Sequence, residues 1–133
     1  MTYALNQVQL DTIHQVMDSD LIAVGVHCVF LTDMAGNVVV VADNGQCEHN
    51  VFALAALSAA NFGATSEIAR LVGEEDFSLL FHKGNKENIH FSRAGDNFLL
   101  CTIFGNEISL GLVRLKIAEV ISKILALVTG KEL

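Results

Sequence analysis

A chain of 133 residues can bury a core of its own and is read as one domain over residues 1–133. Apolar residues supply 52% of it and charged residues 17%, which excludes a disordered chain. The net charge of −7, from 8 basic and 15 acidic residues, argues against nucleic acid or an anionic membrane surface as the main ligand.

The first element is an amphipathic helix over Leu5–Met17, with Leu5, Val8, Ile13, Val16 and Met17 on one side. The segment before and within it, MTYALNQVQLDTIHQ, has neither a basic start nor an apolar run, so no signal peptide is expected. Asp18-Ser19-Asp20 reads as a break. Ala23–Thr32 and Asn37–Ala42, rich in Val, Leu and Phe, then read as strands. The stretch between and beyond them, LTDMAGNVVVVADNG, has the glycines of a phosphate loop. A phosphate loop must open a helix, however, and Gly36 is followed by a strand. Asp33 suits the first position of a type I turn and Gly36 the left-handed position after it, so this is a hairpin turn.

Glu48–Val72 is a helix that is apolar nearly all round. Val51, Ala55, Ala59, Phe62, Ala69 and Val72 form one stripe, and Leu54, Leu57, Ala64, Ile68 and Leu71 form another. A sheet covers only one side of a helix. The second stripe therefore implies a second copy of the same helix, the other readings being an apolar patch on a monomer or packing against the terminal helices. The apolar stretches of the chain are read as interrupted before a bilayer is spanned, so no direct membrane insertion is expected.

Three strands follow at Asp76–His82, Asn88–Ala94 and Asn97–Phe104. An odd loop, Asn85-Lys86-Glu87, is expected to bring Phe77, Leu79 and Phe81 onto the face of Ile89 and Phe91. Gly95-Asp96 is expected to form a two-residue turn. Leu99–Phe104 and most of Val24–Leu31 are apolar on both faces and belong in the middle of the sheet, while Asn88–Ser92 alternates and lies nearer an edge. Leu110–Val128 closes the chain as a helix with Leu112, Leu115, Val120, Ile124 and Leu127 among its apolar positions, and Gly130 is its stop signal.

Few groups suggest chemistry. His82 and His90 are placed to face each other across a hairpin with Cys101 on the next strand, but polar residues on a partly exposed face explain them better than a metal does. His27 and Cys28 are neighbours on a strand and point to opposite faces, so they form no thiolate–imidazole pair. Cys28, Cys47 and Cys101 are scattered, with neither a disulfide framework nor metal-ligand spacing, as in a reduced cytoplasmic protein. Cys28 and Cys101 are expected in the core and Cys47 in a turn. Glu74-Glu75-Asp76 reads as a solvated turn, and Asp33 and Asp43 as turn residues. Nothing assembles a nucleophile, a base and an oxyanion site, so no catalytic residue, metal or cofactor is assigned.

The order α-β-β-α-β-β-β-α resembles the Roadblock/dynein light chain domain over about residues 5–128. The resemblance is carried by VGVHCVFLTDMAGNVVVVAD, FALAALSAANFGATSEIARLVG and NFLLCTIFGNEISLGLVRLKIAEV, with the GLVR run Gly111–Arg114 opening the last helix. In type it is similar to the single-domain bacterial members of the MglB kind. The resemblance implies an α/β (α+β) profilin-like sandwich, a five-stranded antiparallel sheet with the central helix on one face and the terminal helices on the other. It also implies homodimers that join through the sheet edge and the central helices. Ala53, Leu57, Ala60 and Ala64 of the helix, with Phe77, Leu79 and Phe81 at the edge, are then the expected contacts.

The function implied is a non-enzymatic regulator or scaffold that binds a small Ras-like GTPase. Asn61, Glu67, Ile68, Arg70 and Leu71 are the candidate GTPase contacts. Arg70 reads as a solubilising or ion-paired residue (with Glu67 or Glu74) rather than as an arginine finger. The alternative function is a module of the same architecture that senses a small molecule.

Overall fold

The computed structural model describes residues 5–77 and 80–128. Helix α1 (Gln7–Asp20) opens with a reciprocal cap. The Asn6 Oδ1 accepts the Gln9 N–H at 2.8 Å, and the Gln9 Oε1 accepts the Asn6 N–H at 2.8 Å. The helix runs through the expected break at Asp18 and ends when the Leu21 N–H reaches the Met17 carbonyl at 3.0 Å. Its buried positions are Ile13 and Met17, while Val8 faces outward. A single 3-10 turn, Ile22–Val24, then carries the chain to Gly25, whose φ of 111° turns it toward the sheet. The first strand therefore starts later than the apolar run at Ala23 suggests.

The strands are β1 (Cys28–Asp33), β2 (Val38–Asp43), β3 (Leu80–Lys83), β4 (Glu87–Ala94) and β5 (Phe98–Gly105). All pairs are antiparallel, in the order β2-β1-β5-β4-β3. As expected, the doubly apolar segments are interior: β5 is central with every residue buried, β1 is next to it, and alternating β4 lies beside the edge strand β3. The β1–β2 connection is the expected turn. The Asp33 Oδ1 accepts the N–H groups of Ala35 at 3.0 Å and Asn37 at 2.9 Å, and Gly36 takes a φ of 91°. The pairing slips between Leu31 and Thr32, which marks the accompanying bulge.

Two connections depart from expectation. Lys83 pairs with Asn88, so an even run, Gly84–Glu87, separates the first paired positions of β3 and β4. Leu80 and His82, rather than Phe81, thus stand opposite Phe91 and Ile89, and Phe81 stands opposite His90. Gly84 is what allows this loop, because a Cβ there would lie 2.4 Å from the Glu87 carbonyl oxygen. Ala94 pairs with Phe98, so Asn97 belongs to the turn with Gly95 and Asp96 instead of to the strand. Of the strand expected from Asp76, the described part is Leu80–Lys83 and Asp76 and Phe77 stand outside it; Ser78 and Leu79 lie outside the described residues, as does Gly130.

The sheet separates two apolar layers. On one face, α1 and helix α3 (Leu110–Val128) supply Ile13, Met17, Val113, Ile117, Val120 and Ile124 over Val29, Leu31, Phe98, Leu100 and Phe104. The buried side of α3 is thus the Val113–Ile124 row, and Leu112 and Leu115 point away from it. On the other face, helix α2 (Val51–Leu71) lays Ala55 and Phe62 over Cys28, Phe30, Phe91, Leu99, Cys101 and Ile103. The Asn50 side chain caps α2 by accepting the Ala53 N–H at 3.1 Å.

Candidate functional site

Helix α2 can approach the first hairpin closely because its inner residues there, Ala55, Ser58 and Ala59, are small. A Cβ on Gly36 would lie 2.8 Å from the Ala56 Cα, so the first hairpin turn and the helix backbone are in direct contact. Farther along, the Arg93 guanidinium sits 5.1 Å from the centre of the Phe62 ring and its Nε lies 3.4 Å from an Asp76 carboxylate oxygen. Asp76 also accepts a hydrogen bond from the Ser66 hydroxyl at 3.2 Å, so the turn after α2 is tied to both the helix and β4.

The two stripes read from the sequence become two sides of the helix. Ala55, Ala59, Phe62 and Ala69 are buried against the sheet. Leu57, Ile68 and Leu71 of the other stripe face outward, with Leu57 68% and Leu71 71% exposed. Two members cross over: Leu54 packs partly against the sheet, and Val72, past the end of the helix, is exposed. Phe52, which neither stripe contained, is 76% exposed and extends the apolar surface toward the start of the helix. Ala53, Ala60 and Ala64 lie on this open side, while Asn61 is half-buried. Phe77 is exposed just beyond the helix. Phe81 is half-buried on the edge strand, stacked on Phe104 with ring centres 6.0 Å apart. Leu79 lies outside the described residues.

Charge on this face is sparse and local. Glu67 and Arg70 are both exposed and form a forked ion pair, with the Arg70 Nε 3.0 and 3.1 Å from the two carboxylate oxygens. The pair lowers the Glu67 carboxyl and raises the Arg70 guanidinium from their ordinary values. Of the partners expected for Arg70, the structure selects Glu67. By length and composition the 21-residue α2 could cross a bilayer, which corrects the expectation that every apolar stretch stops short. Its inner row nevertheless packs on the sheet, as the helix of a folded domain does.

A polar cluster unforeseen in the sequence closes one end of the sheet. The His27 Nδ1 lies 2.9 Å from the Glu87 Oε2, and its Nε2 lies 2.7 Å from the Glu107 Oε2. The His49 Nε2 lies 2.6 Å from the Glu87 Oε1. Gly105 leaves room for this approach, since a Cβ there would meet both Glu107 and the His27 ring. Both ring nitrogens of His27 can donate only when the ring is protonated. The two carboxylates, Glu87 first, raise its pKa, and His27 in turn is the main cause that lowers Glu87 and Glu107. His27, Cys47, His49 and Glu87 line a cleft of about 270 Å³ there.

The other chemical candidates are held apart. His82 pairs across to Ile89 and meets the Phe91 ring edge-on, whereas His90 pairs with Phe81 and Thr102 on the other face of the sheet. Cys101 pairs with Phe91, on the face of His82 rather than His90. The expectation that the two histidines face each other is therefore overturned by the even β3–β4 loop. Among the described residues no group of three or more His, Cys, Asp or Glu is arranged to hold a metal. Cys28 and Cys101 are fully buried and Cys47 is half-buried. Burial pushes the Cys28 and Cys101 thiols up to about 12, with neighbouring Cys47 adding to the effect at Cys28 and a Ser58 hydrogen bond opposing it at Cys101.

The Roadblock/LC7 domain model matches residues 25–104, from the turn before β1 to the end of the central strand. The chain belongs to the Roadblock/LC7 domain family. MglB of Myxococcus xanthus is 33% identical to it, with 86% of this chain and 92% of that one covered and a TM-score of 0.79. The gliding protein MglB of Thermus thermophilus is 24% identical over 96% of both chains, with a TM-score of 0.87. Profilin IA of Acanthamoeba castellanii, at 12% identity, covers 85% of this chain and 96% of its own with a TM-score of 0.60, so the Roadblock sandwich here is also profilin-like. Comparison with curated proteins returns no match.

Proposed function

We propose that this Roadblock chain is a cytoplasmic, non-enzymatic homodimer that regulates or docks a small Ras-like GTPase. The observation that carries the reading is the outward stripe of α2, in which Phe52, Leu57, Ile68 and Leu71 stand exposed on a helix whose inner row is already satisfied by the sheet. An apolar row of this length is costly in water and marks a surface that meets another protein. Likeness to MglB of Myxococcus xanthus supports the GTPase as that protein.

In this reading Ala53, Leu57, Ala60 and Ala64 meet their copies across a two-fold axis, and Phe77, Leu79 and Phe81 lie at the joined sheet edge. The paired helices present Asn61, Glu67, Ile68, Arg70 and Leu71 to the GTPase. Small side chains allow two helix backbones to come close, and the short edge strand β3 offers unpaired backbone groups to a mate.

The test is a single-turnover hydrolysis assay on a Ras-like GTPase with and without the chain. Acceleration is expected, and Arg70→Ala should weaken binding modestly while keeping the acceleration, because its guanidinium is already engaged by Glu67. Loss of roughly three orders of magnitude in rate with binding intact would show that Arg70 acts as an arginine finger.

A further inference from the structure

The sheet face opposite α2 contains buried polar groups that the GTPase reading does not use. His90 on β4 stands directly across from Thr102 on β5, both on the side covered by α3. His90 is 5% exposed, yet among the described residues neither of its ring nitrogens has a hydrogen-bond partner, and the hydroxyl of fully buried Thr102 has none either. Buried polar atoms are nearly always paired, so adjacent orphans on one face point to a missing partner.

Space for that partner lies beside them. His90 and Ser92 of β4 and Arg114, Ile117, Ala118 and Ile121 of α3 line a cleft of about 320 Å³. Arg114 comes from the GLVR run at the start of α3, is exposed, and enters none of the ion pairs among the described residues. No carboxylate among the described residues lines the cleft, although the chain as a whole carries a net charge of −7.

We propose that this cleft binds a small monocarboxylate with an apolar tail. Arg114 supplies a planar fork that matches a carboxylate in two parallel hydrogen bonds. Neutral His90 offers one ring N–H to the same group, and the Ser92 hydroxyl can donate beside it. Ile117, Ala118 and Ile121 provide an apolar wall for the tail. With Arg114 as the single cation of the lining among the described residues, a dianion such as phosphate would leave a charge without a partner in a half-apolar site. Because the cleft and the outward stripe of α2 lie on opposite faces of the sheet, success or failure here is independent of the GTPase reading.

The full chain, isotope-labelled, is titrated separately with hexanoate, hexanamide and inorganic phosphate while the side-chain resonances of His90 and Arg114 are followed. Hexanoate should shift both saturably, and hexanamide and phosphate should bind about tenfold or more weakly. Arg114→Gln, at an exposed position that leaves the fold intact, should weaken hexanoate by about tenfold or more. Absence of any saturable shift, phosphate binding as tightly as hexanoate, or undiminished hexanoate binding by Arg114→Gln would each overturn the proposal.

Discussion

His90 and His27 show how burial and partners push one residue type in opposite directions. Desolvation, with Arg114 adding to it, lowers His90 to about 4, so the folded chain keeps it neutral while the unfolded chain protonates it near 6.5. Stability should therefore fall as pH drops below 6.5. Between pH 7 and 5 the wild type should lose about 2 kcal/mol more than His90→Gln, as read by urea unfolding at both values. Equal losses in the two proteins would contradict a buried neutral His90. His27 has the opposite sign. Its raised pKa gives stability that is complete below 6.5 and lost as pH rises through the folded value. Glu87 and Glu107 are lowered, so their contribution is present above 4.5 and lost as pH falls through their folded values. The cluster should thus stabilise most between about 4.5 and 6.5, and His27→Gln should destabilise more at pH 6 than at pH 8.5. A mild alkylating agent on folded protein should label mainly Cys47, because Cys28 and Cys101 are sealed in the core with thiols pushed up to about 12. Preferential labelling of Cys28 would mean that β1 is wrongly placed.

At the level of elements, α2 is where the pattern of residues carried most information. Its two apolar stripes, read at a period of 3.6, became an inner row against the sheet and an outer row in solvent. The first hairpin was equally legible, because Asp33 and Gly36 each have one good role in a turn. The β3–β4 hairpin was not. Leu80 and Phe81 are both apolar, so alternation cannot say which faces α2, and the parity of the loop rests on the tight backbone contact at Gly84. The same slip misplaced His82 relative to His90. The His27 cluster was beyond local reading altogether, since its carboxylates lie 60 and 80 residues away along the chain. The packing of α2 on the hairpin turn can be tested at Gly36. Gly36→Ala combines a left-handed φ of 91° with a Cβ 2.8 Å from the Ala56 Cα, and should cost about 2 kcal/mol or more in denaturant unfolding. A neutral effect would show that the helix can shift away from the turn freely.

For the whole molecule, a sandwich whose sheet is packed on both faces carries a long exposed apolar row on α2. The sheet is covered on both faces, yet Phe52, Leu57, Ile68 and Leu71 remain in water on a single helix. If a second copy covers part of that row, Ala60→Glu places like charges against each other across the two-fold axis. Light scattering should then report monomers or aggregates in place of a dimer, and an unchanged dimer would remove this interface from consideration. Regulation asks more than contact, because a partner with equal affinity for both nucleotide states of a GTPase shifts neither. The most direct measurement is calorimetric titration of the chain into a Ras-like GTPase encoded beside it, loaded in turn with a non-hydrolysable GTP analogue and with GDP. Tighter binding of the GTP-analogue form is the predicted result, and binding in neither state would contradict the account.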